Sequence, residues 1–318
     1  MASTTSISKL HTPTAAVEAR ISNQAEDRNF LKTALAWNGS VTPKILPRVL
    51  SASAYSCCIV ILSYKFPDIT LAIEPFEYSG VVLGLLLVAR VNAGMQRWWE
   101  ARKIWGSIVN QCRNLAIISQ QYSERDNPYI ESLLNWIAVW PYTMRQHLRG
   151  EDKVEIAKKH IGVDETNKLT ESGHMPFYVG TVIAGLLKSL RSHGLDDFAF
   201  QRAERERALL IDAIGGCERI RSTPIPLVLA IKTRRFIFLF LLLLPFALVS
   251  KVPWLAPIIM ILTAYPLLSL DQIGIELQNP FAQKNLSHLP LSQICSNIER
   301  NVLNLPKIDD DIRSKKMA

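Results

Sequence analysis

The 318-residue sequence lacks most features that would mark an enzyme or a disulfide-stapled protein. Its five cysteines (Cys57, Cys58, Cys112, Cys217 and Cys295) form no CxxC pair. Their odd number and scattered spacing exclude a disulfide framework and a standard zinc site. The six histidines are as dispersed, with no HExxH motif and no glycine-rich phosphate loop. There is no nucleophile elbow and no pair of aspartates at catalytic spacing, so no catalytic residue, metal or cofactor is expected. The acidic cluster Asp309–Asp311 reads as a solvated terminus. The first ~30 residues lack the apolar core of a secretory signal. Their Ser and Thr content weakly suggests an organelle transit peptide, against which Glu18, Glu26 and Asp27 count. Charge is sparse, at 20% of residues, and carries a basic excess of +8 (36 Lys and Arg against 28 Asp and Glu). The basic stretches have no aromatic-rich platform, so nucleic acid is not an expected partner.

What the chain has instead is apolar runs: 48% of its residues are hydrophobic and the mean hydropathy is +0.12. Four stretches are candidate membrane spans, at about 45–66, 78–96, 236–250 and 254–270. A helix needs roughly 20 apolar residues to cross a bilayer core of about 30 Å, and only the first approaches that length unaided. Pro245, Pro257 and Pro266 interrupt the later two. Such helices need neighbours that satisfy the freed carbonyls. Yet FIFLFLLLLPF, from Phe236, is apolar on every face, as a buried or membrane helix is. Charge sets the orientation. The loop Pro67–Glu77 holds Asp68, Glu74 and Glu77 and no cation. Lys44, Arg48, Arg97, Arg102, Lys103, Lys232, Arg234 and Arg235 flank the other span ends. Basic flanks stay cytoplasmic. Both termini and the long central segment are thus expected inside, with Lys251 against the pattern.

The rest reads as helices, giving an all-α chain with a helical cytoplasmic body (97–235 and 271–305). Trp98, Ala101, Trp105, Ile108, Cys112 and Leu115 alternate spacings of three and four, so a helix continues directly from span two. A helix over Tyr129–Leu148 is expected to be interrupted at Pro141, and Glu151–His174 to hold short helices and loops. Phe177–Ser192 places Val182, Leu186 and Leu190 on one face and stops at Gly194. Phe198–Ile220 is charged at Arg202–Arg207, and Pro290–Leu305 carries a stripe of Leu291, Ile294, Ile298 and Val302. The expected division is an N-terminal cytoplasmic segment without full order (1–38), one membrane-and-body domain (39–305) and a tail (306–318).

Four segments carry a resemblance: GSVTPKILPRVL at Gly39–Leu50, RVNAGMQRWWEARKIWGSIVNQCRNLA at Arg90–Ala116, CERIRSTPIPL at Cys217–Leu227, and LSLDQIGIELQNPF at Leu268–Phe281. Together they resemble the bestrophin family, in its short bacterial and plant-type branch. The resemblance implies a homopentameric ion channel, with four transmembrane helices per subunit and a pore that continues through the cytoplasmic body. It implies that span two lines the pore, with the neck falling on Val81, Leu85 and Ala89 and a second constriction on Ile225. An i, i+4, i+8 set shares one helix face, which is compatible with a neck. Ala89 stands where the family commonly has a larger residue, and Arg90-Val91-Asn92 varies a more polar stretch. The dense acidic run that binds calcium in animal relatives is missing after Asn279-Pro280-Phe281. Calcium needs several oxygen ligands, so that clasp is not expected here. Arg97, Glu100, Asp271 and Glu276 are expected to form a structural charge network between spans two and four. Trp98 and Trp99 read as interface and packing residues.

Three functions stay open at this point. They are a channel for monovalent anions such as chloride, a cation-selective channel of the same build, and a non-conducting scaffold or regulatory subunit. The expected partners are further copies of the chain, the lipid bilayer and permeant monovalent ions. The expected location is the plasma or inner membrane, the alternative being an organelle membrane such as the thylakoid.

Overall fold

A computed structural model describes residues 30–124, 127–306 and 308. The transit-like stretch and Asp309–Asp311 lie outside the described residues. Those described are helical, with no strand among them. In chain order the helices are α1 (Phe30–Ala34), α2 (Thr42–Lys65), α3 (Glu74–Gln121), α4 (Tyr129–Arg149) and α5 (Glu155–Glu171). They continue with α6 (Met175–Ser192), α7 (Asp197–Ser222), α8 (Leu227–Leu248), α9 (Ala256–Glu276) and α10 (Leu291–Leu303).

The organising element is α3, 48 residues in one piece. Its start is well marked: Pro75 sits in the first turn, where no amide is lost, and Glu74 and Glu77 face the positive end of the helix dipole. At 1.5 Å per residue it is about 70 Å long, more than twice a bilayer core of about 30 Å. Its two halves serve two cores. Leu83 and Leu87 join Phe240, Leu244, Met260 and Ala264 from α8 and α9. Farther along, Ala101, Trp105, Ile108, Cys112 and Leu115 are fully buried in a larger core with α4, α6, α7 and α10. The heptad-like spacing seen in the sequence is the face that enters this core.

The membrane half is a layer of α2, the first half of α3, α8 and α9. α9 lies along both α2 and α3. Gly94 permits that approach, since a Cβ there would sit 2.9 Å from the Cβ of Leu277. By length and composition, three segments can cross a bilayer: Thr42–Lys65, Pro67–Gln121 and Pro253–Glu276. α8 is not among them, because Lys232, Arg234 and Arg235 occupy its first half.

One expectation needs correction. α4 is not interrupted at Pro141. A mid-helix proline costs about 3 kcal/mol, but Ile130 to Leu148 are almost continuously buried between α6 and α10, and that packing holds the helix through it. The Pro141 carbonyl accepts the Cys295 thiol at 3.3 Å. On α6 the buried line is Val179, Ile183, Leu187 and Leu190. Val182 and Leu186 flank it and pack against the same core. α5 changes direction at Gly162, whose φ of 82° suits glycine. The α6 terminus is capped by His174, whose Nδ1 accepts the Phe177 amide at 3.1 Å.

Candidate functional site

The distinguishing surface of the molecule is the uncovered side of α3. Leu83, Leu87, Arg90 and Gly94 are buried against α8 and α9. Val81 and Leu85, at 65% and 67% exposure, and Ala89 point the other way. The same helix line, followed at 100° per residue, runs on through Asn92, Gln96, Trp99, Lys103, Asn110 and Asn114. All six are exposed. The line is therefore apolar for about two turns and then amide-rich, with one tryptophan and one lysine. Lys103 makes no ion pair among the described residues. The polar continuation escaped the sequence reading, although the same angular arithmetic would have found it.

Ile225 is half-buried in the four-residue link, 223–226, between α7 and α8. Prolines on both sides, Pro224 and Pro226, disfavour helical backbone at the residues before them. Arg97 ties this link to α3. Its guanidinium donates to the carbonyls of Thr223 (2.6 Å), Ile220, and Gln278 at the end of α9 (3.3 Å). Arg97 thus closes the α7 C-terminus, whose last carbonyls lack helical partners.

The four charged residues do not form one network. Asp271, 4% exposed, lies in close ionic contact with Arg90, 1% exposed, and accepts from Arg234 Nε at 3.3 Å. Glu276 accepts from Lys44 (2.6 Å), Gln272 (2.9 Å) and the Leu286 amide (2.7 Å), locking the start of α2 to the end of α9. Glu100 pairs with Arg219 on α7 at 2.7 Å, and among the described residues Arg97 bonds only backbone. Arg90, Lys44 and Arg219 were the missed partners. Each was visible as a cation, but its pairing depends on helix packing that spacing does not encode.

Elsewhere, Trp98 Nε1 donates to the Ser287 carbonyl at 2.7 Å, and Trp98 stacks on Trp99. Cys217 is buried, which pushes its thiol up to about 12, so it packs as a neutral side chain. His147, His174 and Glu218 converge from three elements, with Glu218 Oε1 at 2.7 and 2.8 Å from the two Nε2 atoms. Because His174 Nδ1 already accepts the Phe177 amide, its neutral ring carries the proton on Nε2 and donates it to Glu218. As folded, the trio is a hydrogen-bonded joint between α4, α6 and α7. The segment after α9 is fixed by amides: Asn279 Oδ1 accepts the Phe281 amide (3.1 Å) and Asn285 Nδ2 donates to the Glu276 and Asn279 carbonyls.

A model of the Bacterial/Fungal Bestrophin protein family matches residues 21–304. The chain belongs to the bestrophin family. Among its relatives, the voltage-dependent anion channel-forming protein sll1024 of Synechocystis sp. is 31% identical over 279 residues, 85% of this chain and 90% of the other. The voltage-dependent anion channel-forming protein YneE of Escherichia coli K12 is 28% identical over 87% of this chain and 92% of its own. A solved bacterial bestrophin homolog from Klebsiella pneumoniae superposes with a TM-score of 0.77 at 26% identity, over 82% of this chain and 97% of that one. This family member is a membrane protein, helical with no strand among its described residues, and not an enzyme.

Proposed function

We propose that the chain is an anion channel in which five copies place their α3 helices around one axis. Val81, Leu85 and Ala89 form its neck, and Ile225 its second constriction. The observation that carries this reading is the uncovered α3 line, apolar over about two turns and amide-rich beyond, apart from Trp99. On a monomer such a stripe gains nothing from facing either lipid or water along its whole length. Around a shared axis it becomes a narrow dry collar followed by a wet passage. The names of the relatives support anions as the permeant species.

The physics is direct. Rings of Val81 and Leu85 offer no replacement for an ion's hydration shell, so a tight ring gates by dewetting. Ala89 makes the lowest ring the widest. Below it the amides of Asn92 and Gln96 can donate to an anion. Five copies of Lys103 raise the local anion concentration by making the wall potential positive. Arg97 acts as a positioning residue, coupling the α7–α8 link that bears Ile225 to the neck helix. In this reading α8 is the fourth span, shielded by α3 and α9, with Lys232, Arg234 and Arg235 at the cytoplasmic boundary. Both termini lie on that side, and residues 39–305 act as one unit.

The test is purified full-length protein in liposomes or planar bilayers. Replacing chloride by a large impermeant anion should move the reversal potential, and replacing sodium should not. A shift with sodium alone would make it a cation channel. Absence of flux under every condition would leave a scaffold.

A further inference from the structure

A groove on the flank of the membrane half is charged at one end and apolar at the other. It runs between α2 and α8 with α9 as its floor and encloses about 490 Å³. Each wall is one helix face: Arg48, Ala52 and Tyr55 from α2, and Arg234, Phe238 and Leu241 from α8. Arg48, Arg234 and Asp271 meet at one end. Seven and eight residues farther along, Tyr55 Oη donates to the Leu242 carbonyl at 3.2 Å and closes the other. α2 and α8 therefore run parallel here, and the groove is about 11 Å long.

The charged end is unbalanced. Asp271 is already engaged by the buried Arg90. Arg234, 54% exposed, reaches Asp271 only through Nε, at 3.3 Å. Arg48 is exposed and makes no ion pair among the described residues. Three guanidinium groups thus stand against one carboxylate. Behind Asp271, Nη2 of Arg90 has no hydrogen-bond acceptor among the described residues. The side opening is apolar, with Phe238 64% exposed.

We propose that this groove holds an anionic phospholipid of the cytoplasmic leaflet. Its phosphate sits between Arg48 and Arg234, and the first part of an acyl chain lies along Phe238 and Leu241. Planar guanidinium forks match phosphate oxygens. Basic pockets between helices on the cytoplasmic side suit anionic headgroups, whereas a zwitterionic lipid brings its own cation to an already positive site. The assignment rests on the membrane orientation proposed above.

Native mass spectrometry of the detergent-purified full chain counts retained lipid without reading conductance. Dioleoylphosphatidylglycerol and dioleoylphosphatidylcholine are added at equal amounts. The wild type should retain phosphatidylglycerol preferentially. Arg48→Gln with Arg234→Gln should lower its retention roughly tenfold or more, the size of one lost charge-assisted contact. Lys188→Gln with Arg205→Gln, the same charge change on the body surface, should leave it unchanged. Ala52→Phe keeps both arginines and fills the groove, and should also expel the lipid. It serves as the second arm if the double arginine variant does not fold. Equal retention of the two lipids, unchanged retention in R48Q/R234Q, or displacement by chain-free glycerol phosphate as effectively as by phosphatidylglycerol would overturn the assignment. Absence of flux in every vesicle would strike the channel reading alone and leave the lipid count intact.

Discussion

Asp271→Asn isolates the energetic centre of the membrane half. Arg90 is 1% exposed, and Asp271 is the carboxylate in ionic contact with it. Arg90 cannot shed its proton, so neutralising Asp271 leaves a buried charge without compensation. Removing one partner of a buried pair costs about 3–5 kcal/mol. The second cation, Arg234, is 54% exposed and can turn to water, so the cost falls on Arg90. At roughly 2–4 °C per kcal/mol for a chain of this order, the apparent melting temperature should fall by about 6–20 °C. The counter-variant, Arg90→Met with Asp271→Leu, removes both charges and keeps apolar volume in place. Replacing a buried pair in this way is often neutral, so most of the loss should return. The assay is tryptophan fluorescence during heating, at fixed protein and detergent concentration. A D271N protein melting within about 2 °C of wild type, or a double variant as unstable as the sum of the singles, would refute the reasoning.

Three further outcomes follow from the geometry. Ala89→Phe should lower single-channel conductance by narrowing the lowest ring, and Leu85→Ala should raise it; two silent variants would remove α3 from the pore. Arg97→Gln should change conductance or rectification through Ile225 while the protein stays folded, read by bilayer recording beside gel filtration, and a variant indistinguishable from wild type would sever that coupling. Tyr142 is held above its usual range by burial and by its hydrogen bond to Glu299. A raised hydroxyl contributes its full stability below the unfolded value of about 10 and loses it as pH rises through the folded one. The stability advantage of wild type over Tyr142→Phe should therefore be constant between pH 7 and 9 and shrink above about pH 10, measured by melting curves across that range.

Periodicity revealed much of this architecture and stopped at pairing. The Trp98–Leu115 spacing identified a continuous helix because a buried face must recur at helical intervals. It also located the α10 stripe, except that Cys295 is buried where Ile294 was expected. The Pro141 break failed because tertiary burial outweighs a local penalty. On α6 the expected Val182, Leu186 and Leu190 reach the core, and α4 and α7 bury Val179, Ile183 and Leu187 more deeply beside them. Of the candidate site, the α3 line was accessible from residue spacing plus resemblance. Arg90 and Arg234, which meet Asp271, Lys44, which meets Glu276, and Ile220, which meets Arg97, come from helices dozens to hundreds of residues away.

The unbroken α3 makes the molecule a lever. No loop interrupts the helix between Gln121 and Ala89, some 48 Å away along the axis. A tilt of about 5° at the far end therefore displaces the upper segment by about 4 Å without any local unfolding. In the proposed pentamer, whatever grips the body, whether a ligand, a neighbour or a change of charge, would set the bore of the collar by leaning on a single rod.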